Sequence, residues 1–359
     1  MKIIDPFFIF NFSKKWFTLI FMRFLSHIPV KKLINSSVRF LGAITGTYVT
    51  WFRCLLVFSS IMLSSQVSGQ TSFTSSSPKA RVVSLSGALT EIVYALGAQS
   101  QLVAVDSTST FPAATDALPK VGYMRQLSAE GILAMRPTLL LATSEAGPAN
   151  VIAQLKEAGI QLVLIPSDHS FEELRHKVRA VASALGFIAE GKSLEEKLQR
   201  EMAAVQSQIH SKTAPKAKPR VLFVLSHNGT PSVSGTGTAA DAFIKLAGAR
   251  NAAETFKGYK PMTAEALLNA APELILTTKQ SVDALGGLDR LLERPGISLT
   301  SAGKNRRILV MEALYMLGFG PRLPEAVKQA WTTFSAVPTA QLSEKFPLTP
   351  NELANKHNF

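Results

Sequence analysis

Few residues in this sequence are able to do chemistry, and the near absence of cysteine narrows them further. The single cysteine, Cys54, lies at the head of an apolar run near the N-terminus, so the chain beyond it has no disulfide and no thiolate. Any metal it holds must therefore sit on oxygen or nitrogen. Ligands of open α/β sheets bind outside the carboxyl ends of the strands, which makes the polar residues around such runs the candidates: Tyr123, His227 beside Ser226, Lys279, and His169 beside Asp168. Phenol, imidazole and ammonium groups suit a metal or an anionic small ligand. Two carboxylates stand apart from them, Glu130 and Glu265, at matching places in two halves of the chain.

Enzyme signatures are sparse. No GxxxxGK[ST], HExxH or GxSxG occurs, and no Ser, His and Asp set stands out by local motif. The stretch from Gly235 to Ala240 fits GxGxxA, but the apolar run before it ends near Ser226, and Thr238 with Asp241 three residues on reads equally as a helix start. An exported α/β enzyme with a nucleotide-type cofactor is thus an alternative resting on that weak match alone.

The elements that must position these residues form an internal repeat. Leu127–Thr143 (LSAEGILAMRPTLLLAT) and Met262–Thr278 (MTAEALLNAAPELILTT) agree at seven of seventeen positions: Ala129/Ala264, Glu130/Glu265, Leu133/Leu268, Pro137/Pro272, Leu139/Leu274, Leu141/Leu276 and Thr143/Thr278. Each copy spells an N-cap (Ser128 or Thr263), a short helix with an acid in its first turn, a proline stop and a buried strand. Each comes after a Gly-Tyr pair, Gly122-Tyr123 and Gly258-Tyr259. Apolar runs at 81–86 and 220–226 open the two halves, and those at 102–105, 161–165 and 307–311 alternate with helical patterns such as 171–185. Such alternation predicts parallel sheets covered by helices. The fold class read from this is α/β, with two Rossmann-like lobes of parallel sheet, a single long helix joining them, and a ligand cleft between the lobes. The boundaries are an export region at 1–69, an N-terminal lobe at 79–186, the connecting helix at 187–212, a C-terminal lobe at 213–338 and a tail at 339–359.

Composition sets the class of partner. With 359 residues, 47% of them hydrophobic and 18% charged, the chain can bury the cores of two ordinary domains. The formal charge of +13 is inflated by the N-terminal region, where Arg53 precedes the apolar stretch Cys54–Leu63 and small residues near Gly69 in the order of a cleaved secretory signal. That apolar stretch is shorter than the ~20 residues a membrane span needs. Without the region's eight basic residues and one acid, 30 basic residues face 24 acids, a balance of +6 that suits an anionic small ligand and argues only weakly for nucleic acid.

The stretches RVVSLSGALTEIVYALGA, GYMRQLSAEGILAMRP, GTGTAADAFIKLAG, GYKPMTAEALL and LGFGPR resemble the helical-backbone binding proteins that serve bacterial importers of cobalamin, siderophores and haem. Within that group they look like the periplasmic haem-binding branch, over Lys79 to Val337. The resemblance implies a periplasmic protein that binds ferric haem and hands it to an ABC transporter permease dimer in the inner membrane, without enzymatic activity; a siderophore or cobalamin is the alternative cargo. It implies Tyr123 as iron ligand, and Arg125, two residues on, as the cation that helps a phenol of ordinary pKa near 10 bind as phenolate. His227 is the candidate second axial ligand or contact to a second haem, with His169 a weaker one. Arg125 and Lys279 are candidate partners of the haem propionates, or else solvated surface charges. Tyr259 is placed against the porphyrin face or in the core. Glu130 and Glu265 are implied to meet arginines of the permease, against the alternative that each only stabilises its helix.

Overall fold

The computed structural model describes residues 80–211, 217–226, 231–261 and 263–337, all within one compact unit, Ser76–Phe359. The export region at 1–69 and the tail at 339–359 lie outside the described residues.

The first sheet is built from β1 (Val82–Ser84), β2 (Leu102–Val105), β3 (Leu139–Thr143) and β4 (Gln161–Ile165), in the order β2-β1-β3-β4 and parallel throughout. Between the strands run α1 (Gly87–Ala95), α2 (Ala129–Leu133) and α3 (Ala149–Glu157), and α4 (Phe171–Leu185) comes after β4. β1, β2 and β3 are largely buried on both faces, as strands of parallel sheets are, while the edge strand β4 is partly exposed. Ser170 caps α4 by accepting from the Glu173 backbone N–H, and Gly186 ends it in the left-handed region at φ 79°.

A 22-residue helix, α5 (Ile188–Ile209), then carries the chain to the second sheet. That half contains β5 (Arg220–Leu225), β6 (Ser232–Ser234), α6 (Ala239–Leu246), β7 (Arg250–Asn251), β8 (Tyr259–Pro261), α7 (Ala264–Ala270), β9 (Leu274–Thr278), α8 (Lys279–Ala284), α9 (Leu288–Leu292), α10 (Ser301–Lys304), β10 (Ile308–Met311), α11 (Ala313–Leu317) and α12 (Leu323–Ser335). The order is β10-β9-β5-β6-β8, with β7 also beside β5. β10, β9, β5 and β7 are parallel, the two-lobed α/β architecture expected, but β6 and β8 extend the sheet antiparallel. The sequence reading does not anticipate these two strands. Both are three residues long, and Pro261, which has no N–H to donate, sits on the edge strand where that costs least.

Each lobe has an apolar cluster of its own, and a third is shared between them. A single apolar cluster runs from Val82, Leu89 and Val178 through Leu198, Met202, Val205 and Ile209 of α5 to Phe223, Phe243, Val327 and Phe334. Charges cross the same junction. Arg322 grips Glu91 of α1 with two hydrogen bonds, Nε to Oε2 at 3.0 Å and Nη2 to Oε1 at 2.6 Å, while stacking 3.8 Å from the ring centre of Phe111. Buried Lys177 of α4 pairs with Glu173 at 2.6 Å and donates to the carbonyls of Gly318 and Phe319 at 3.2 and 3.4 Å. The LGFGPR segment is thereby explained as a latch. Phe319 is buried at φ 51°, a Cβ on Gly318 would meet the Leu314 carbonyl oxygen at 2.5 Å, and Gly320 leaves room for the Glu91 carboxylate.

Glu91 is only 4% exposed. Burial raises its pKa above the ordinary 4.5 despite the hydrogen bonds and charge of Arg322; burial opposes the Arg322 charge as well, but Glu91 outweighs it and raises the Arg322 pKa, so the carboxylate is the partner that bears the cost of desolvation. With the folded pKa raised, the stability this carboxyl contributes is full below its ordinary pKa and falls as pH rises through the folded one. Arg322→Met, which strands the buried carboxylate, should lower unfolding free energy in urea by about 3–5 kcal/mol, and Glu91→Leu with Arg322→Met should recover most of that loss. A double variant no more stable than the single one would refute this account.

Candidate functional site

Tyr123 is delivered to the surface by a loop tied down at both ends. After β2, buried Asp106 accepts from the Thr108 backbone N–H at 3.0 Å, the Thr108 hydroxyl at 2.6 Å and the Ser109 hydroxyl at 2.8 Å. Ser109 and Ser84 in turn share hydrogen bonds with Thr90 of α1, both at 2.8 Å. The Ser107 N–H donates to the Gly122 carbonyl at 2.8 Å, and Gly122 adopts φ 97°, which a side chain would resist. Tyr123 emerges from this turn 39% exposed.

The loop after β3 holds the cation that the phenol meets. The Gly147 N–H donates to the Met124 carbonyl and the Leu127 N–H to the Gly147 carbonyl, both at 2.9 Å, so the segments 124–127 and 144–147 run side by side. Arg125 Nη1 donates to the Tyr123 hydroxyl at 2.7 Å, and its Nη2 pairs with the Glu145 carboxylate. Burial works against the guanidinium charge, but Glu145 and the Tyr123 oxygen outweigh it and raise the Arg125 pKa. Phenol, guanidinium and carboxylate thus form a chain in which Glu145 aims Arg125 and Arg125 addresses the phenol oxygen. The sequence reading misses Glu145. The rule that selects Lys279 just after β9 applies equally to Ser144-Glu145 just after β3.

The second lobe brings up the other Gly-Tyr pair. The carbonyl of Gly258, a residue at φ 79°, accepts a hydrogen bond from the Gly235 N–H at 2.8 Å, and Tyr259 stands on edge strand β8, 42% exposed. It is therefore not a core residue. Its hydroxyl end is enclosed beside the hydroxyls of Ser234 and Thr238, and the charges of Arg125 and Glu145 reach it from the first lobe. Burial raises its pKa, so this phenol keeps its proton at neutral pH. The two tyrosines share a motif and differ in their partners, Arg125 for Tyr123 and the hydroxyls of Ser234 and Thr238 for Tyr259.

The segment between β6 and α6 explains the GxGxxA match. A strand does end directly before it, contrary to the sequence reading, but that strand is antiparallel. Thr238 caps α6, the Gly237 N–H donates to Asp241 at 3.1 Å, and a Cβ on Gly235 would lie 2.2 Å from the Phe256 carbonyl oxygen. These residues build a turn, and the same turn braces Tyr259.

A family model described as periplasmic binding protein matches residues 82–314. The chain belongs to the periplasmic binding protein family. Its fold is similar to the periplasmic heme-binding protein BhuT, solved in complex with two hemes, at 44% identity and a TM-score of 0.68 over 71% of this chain and 98% of that one. It is similar also to the periplasmic heme-binding protein RhuT from Roseiflexus sp. RS-1, at 38% identity and a TM-score of 0.68 over 72% and 98%. Among curated relatives are an uncharacterized ABC transporter substrate-binding lipoprotein of Bacillus subtilis, 29% identical over 69% of this chain and 78% of its own, and the vitamin B12-binding protein of Vibrio parahaemolyticus, 24% identical over 57% and 73%.

Lys279 and His169 have neighbours of their own in this binding protein. Lys279 opens α8 and pairs with Asp283 one turn on, at 3.1 Å, both exposed. His169, at φ 58°, rests 5.7 Å from the ring centre of Phe319 in the latch. Neither hydrogen-bonds to Tyr123, Arg125 or Glu145 among the described residues, and His227 lies outside those residues. Glu130 and Glu265 occupy the first turns of α2 and α7, capped by Ser128 and Thr263; both are exposed, with no cationic partner among the described residues. Among those residues no helix is long and apolar enough to cross a membrane.

Replacing the glycines that shape the site tests the geometry without a ligand. Gly258→Ala meets no atom within 4 Å, so only its positive φ is penalised, by about 1 kcal/mol. Gly235→Ala must displace the Phe256 backbone and should cost about 2–3 kcal/mol in a urea titration. Equal losses would contradict the close approach at Gly235.

Proposed function

We propose that this chain is the exported component that binds ferric haem and delivers it to the permease dimer of an inner-membrane ABC importer. One observation carries the reading: an exposed tyrosine whose hydroxyl receives a 2.7 Å hydrogen bond from an arginine that is itself held by a carboxylate. Ferric iron favours a hard oxygen donor, phenolate among them. When iron displaces the phenolic proton, Arg125 is in place to stabilise the bound phenolate and Glu145 keeps it there.

The charge shared between Arg125 and Glu145 favours Arg125 as the helper of the iron ligand over a role as propionate partner. Lys260, exposed next to Tyr259 in sequence and without an acidic partner among the described residues, is a candidate cation for a propionate. Tyr259 offers its ring face and a protonated hydroxyl from the opposite lobe. The neighbours named as heme-binding support haem as cargo, and the ABC transporter relative supports delivery to a permease. A binding role of this kind calls for no catalytic group. Glu130 and Glu265, one per lobe, are proposed to meet cations of the two permease subunits.

A second reading, cobalamin as cargo, is favoured by the vitamin B12-binding relatives. Titration with ferric haem, followed in the Soret region, and with cobalamin separates the two. Haem should give a saturable Soret shift and cobalamin no binding. Tyr123→Ala should abolish that spectrum, Arg125→Leu and Glu145→Gln should weaken haem by about 10–100-fold, and Lys279→Ala should leave it within about twofold. An unchanged spectrum and affinity for Tyr123→Ala would sink the ligand assignment.

A further inference from the structure

The repeat holds residues that neither packing nor the ligand site explains. Of the seven positions shared between its copies, four are buried in both lobes: Pro137/Pro272, Leu139/Leu274, Leu141/Leu276 and Thr143/Thr278. Ala129/Ala264 is half-buried in both. Close packing of two equivalent helix-to-strand units accounts for the recurrence of these five. The remaining two, Glu130/Glu265 and Leu133/Leu268, are exposed in both lobes, and Leu133 and Leu268 expose 40% and 42% of their surface.

Local geometry puts the two exposed positions together. Glu130 and Leu133 lie three residues apart on α2, as Glu265 and Leu268 do on α7, so each pair shares one helix face. Both helices begin at a hydroxyl cap and are followed within three residues by a left-handed residue, Arg136 at φ 47° or Ala271 at φ 42°, and then a buried proline. The same acid-plus-leucine patch is thereby displayed once per lobe. A leucine held in water at matching places in both copies, beside a carboxylate with no cation of its own among the described residues, is the pattern of an interface anchor beside a charge contact.

We propose that Leu133 and Leu268 are a pair of apolar anchors that seat this protein on the two subunits of its permease, each in a socket next to a cation that takes the neighbouring glutamate. The partner is a membrane protein presenting one such socket and cation twice, related by a two-fold axis, because the patch itself occurs twice. This rests on the docking role proposed above for Glu130 and Glu265. It adds that shape and apolar burial, as well as charge, hold the complex.

The test uses the whole haem-loaded protein and the ABC importer complex of the same cells, reconstituted in lipid nanodiscs, with equilibrium binding as readout. Leu133→Ser and Leu268→Ser should each weaken docking about tenfold, and the double variant about a hundredfold. Haem titration and the urea midpoint should stay as in the unaltered protein, and Leu133→Met with Leu268→Met should retain docking. Raising salt should weaken docking of the leucine variants as it does the unaltered protein, since their glutamates remain, whereas Glu130→Gln with Glu265→Gln should lose that salt dependence. A double serine variant that docks as well as the unaltered protein, while the glutamate double variant does not, would overturn the anchor inference and leave the docking role intact. If the glutamate variant also docks normally, the docking role itself is wrong. Loss of haem binding or of stability in the serine variants would assign the leucines to the site or the fold, and so also overturns the inference.

Discussion

The junction between Glu91 and Arg322 is the constraint on which the rest of the molecule turns. The two residues stand at opposite ends of the folded chain, one in the first helix and the other at the start of the last, and their double hydrogen bond closes the lobes on each other. Lys177 does the same from α4, through the carbonyls of Gly318 and Phe319. With the apolar cluster running unbroken through α5 into both lobes, relative motion of the lobes would have to open a packed core and strand buried charges. A cleft built on such a junction is set before its ligand arrives, and binding then requires little reorganisation.

Within that frame the ligand chemistry is unequal on the two sides. The first lobe presents a phenol addressed by a cation whose direction is fixed by Glu145, and the second presents a phenol whose hydroxyl end lies beside Ser234 and Thr238 and whose pKa burial raises. The same Gly-Tyr sequence leads to both, and the next two residues separate them: Met124-Arg125 runs beside the loop after β3, whereas Lys260-Pro261 continues as an edge strand. The symmetric features, Glu130/Glu265 and Leu133/Leu268, face solvent instead. Division of the repeat into a symmetric outer surface and an asymmetric cleft fits a protein that meets a two-fold partner on one side and a single kind of cargo on the other.

Much of this was legible in the chain itself. β2, β4 and α4 fall on the apolar runs and periodic stretch read at 102–105, 161–165 and 171–185, because apolar strands and amphipathic helices are marked by their own local pattern. Strands β6 and β8 were not legible: three residues pairing across an intervening helix leave no periodic trace. Glu145 escaped for a related reason, since its partner Arg125 lies twenty residues away and only the parallel course of two loops joins them.

The sequence by itself determined the α/β class, the doubling of the helix-to-strand unit, the family resemblance and the pairing of a tyrosine with an arginine two residues on. Each of these is written in residues close together along the chain, where hydrophobic period, caps and turn glycines act locally. Only the tertiary structure decided that LGFGPR is a latch between lobes, that Glu145 holds Arg125, that Tyr259 stands outside the core with its hydroxyl end enclosed, and that Leu133 and Leu268 are left in water. These depend on which distant surfaces come into contact and which groups are thereby desolvated, and burial is a property of the packed chain that no local pattern contains.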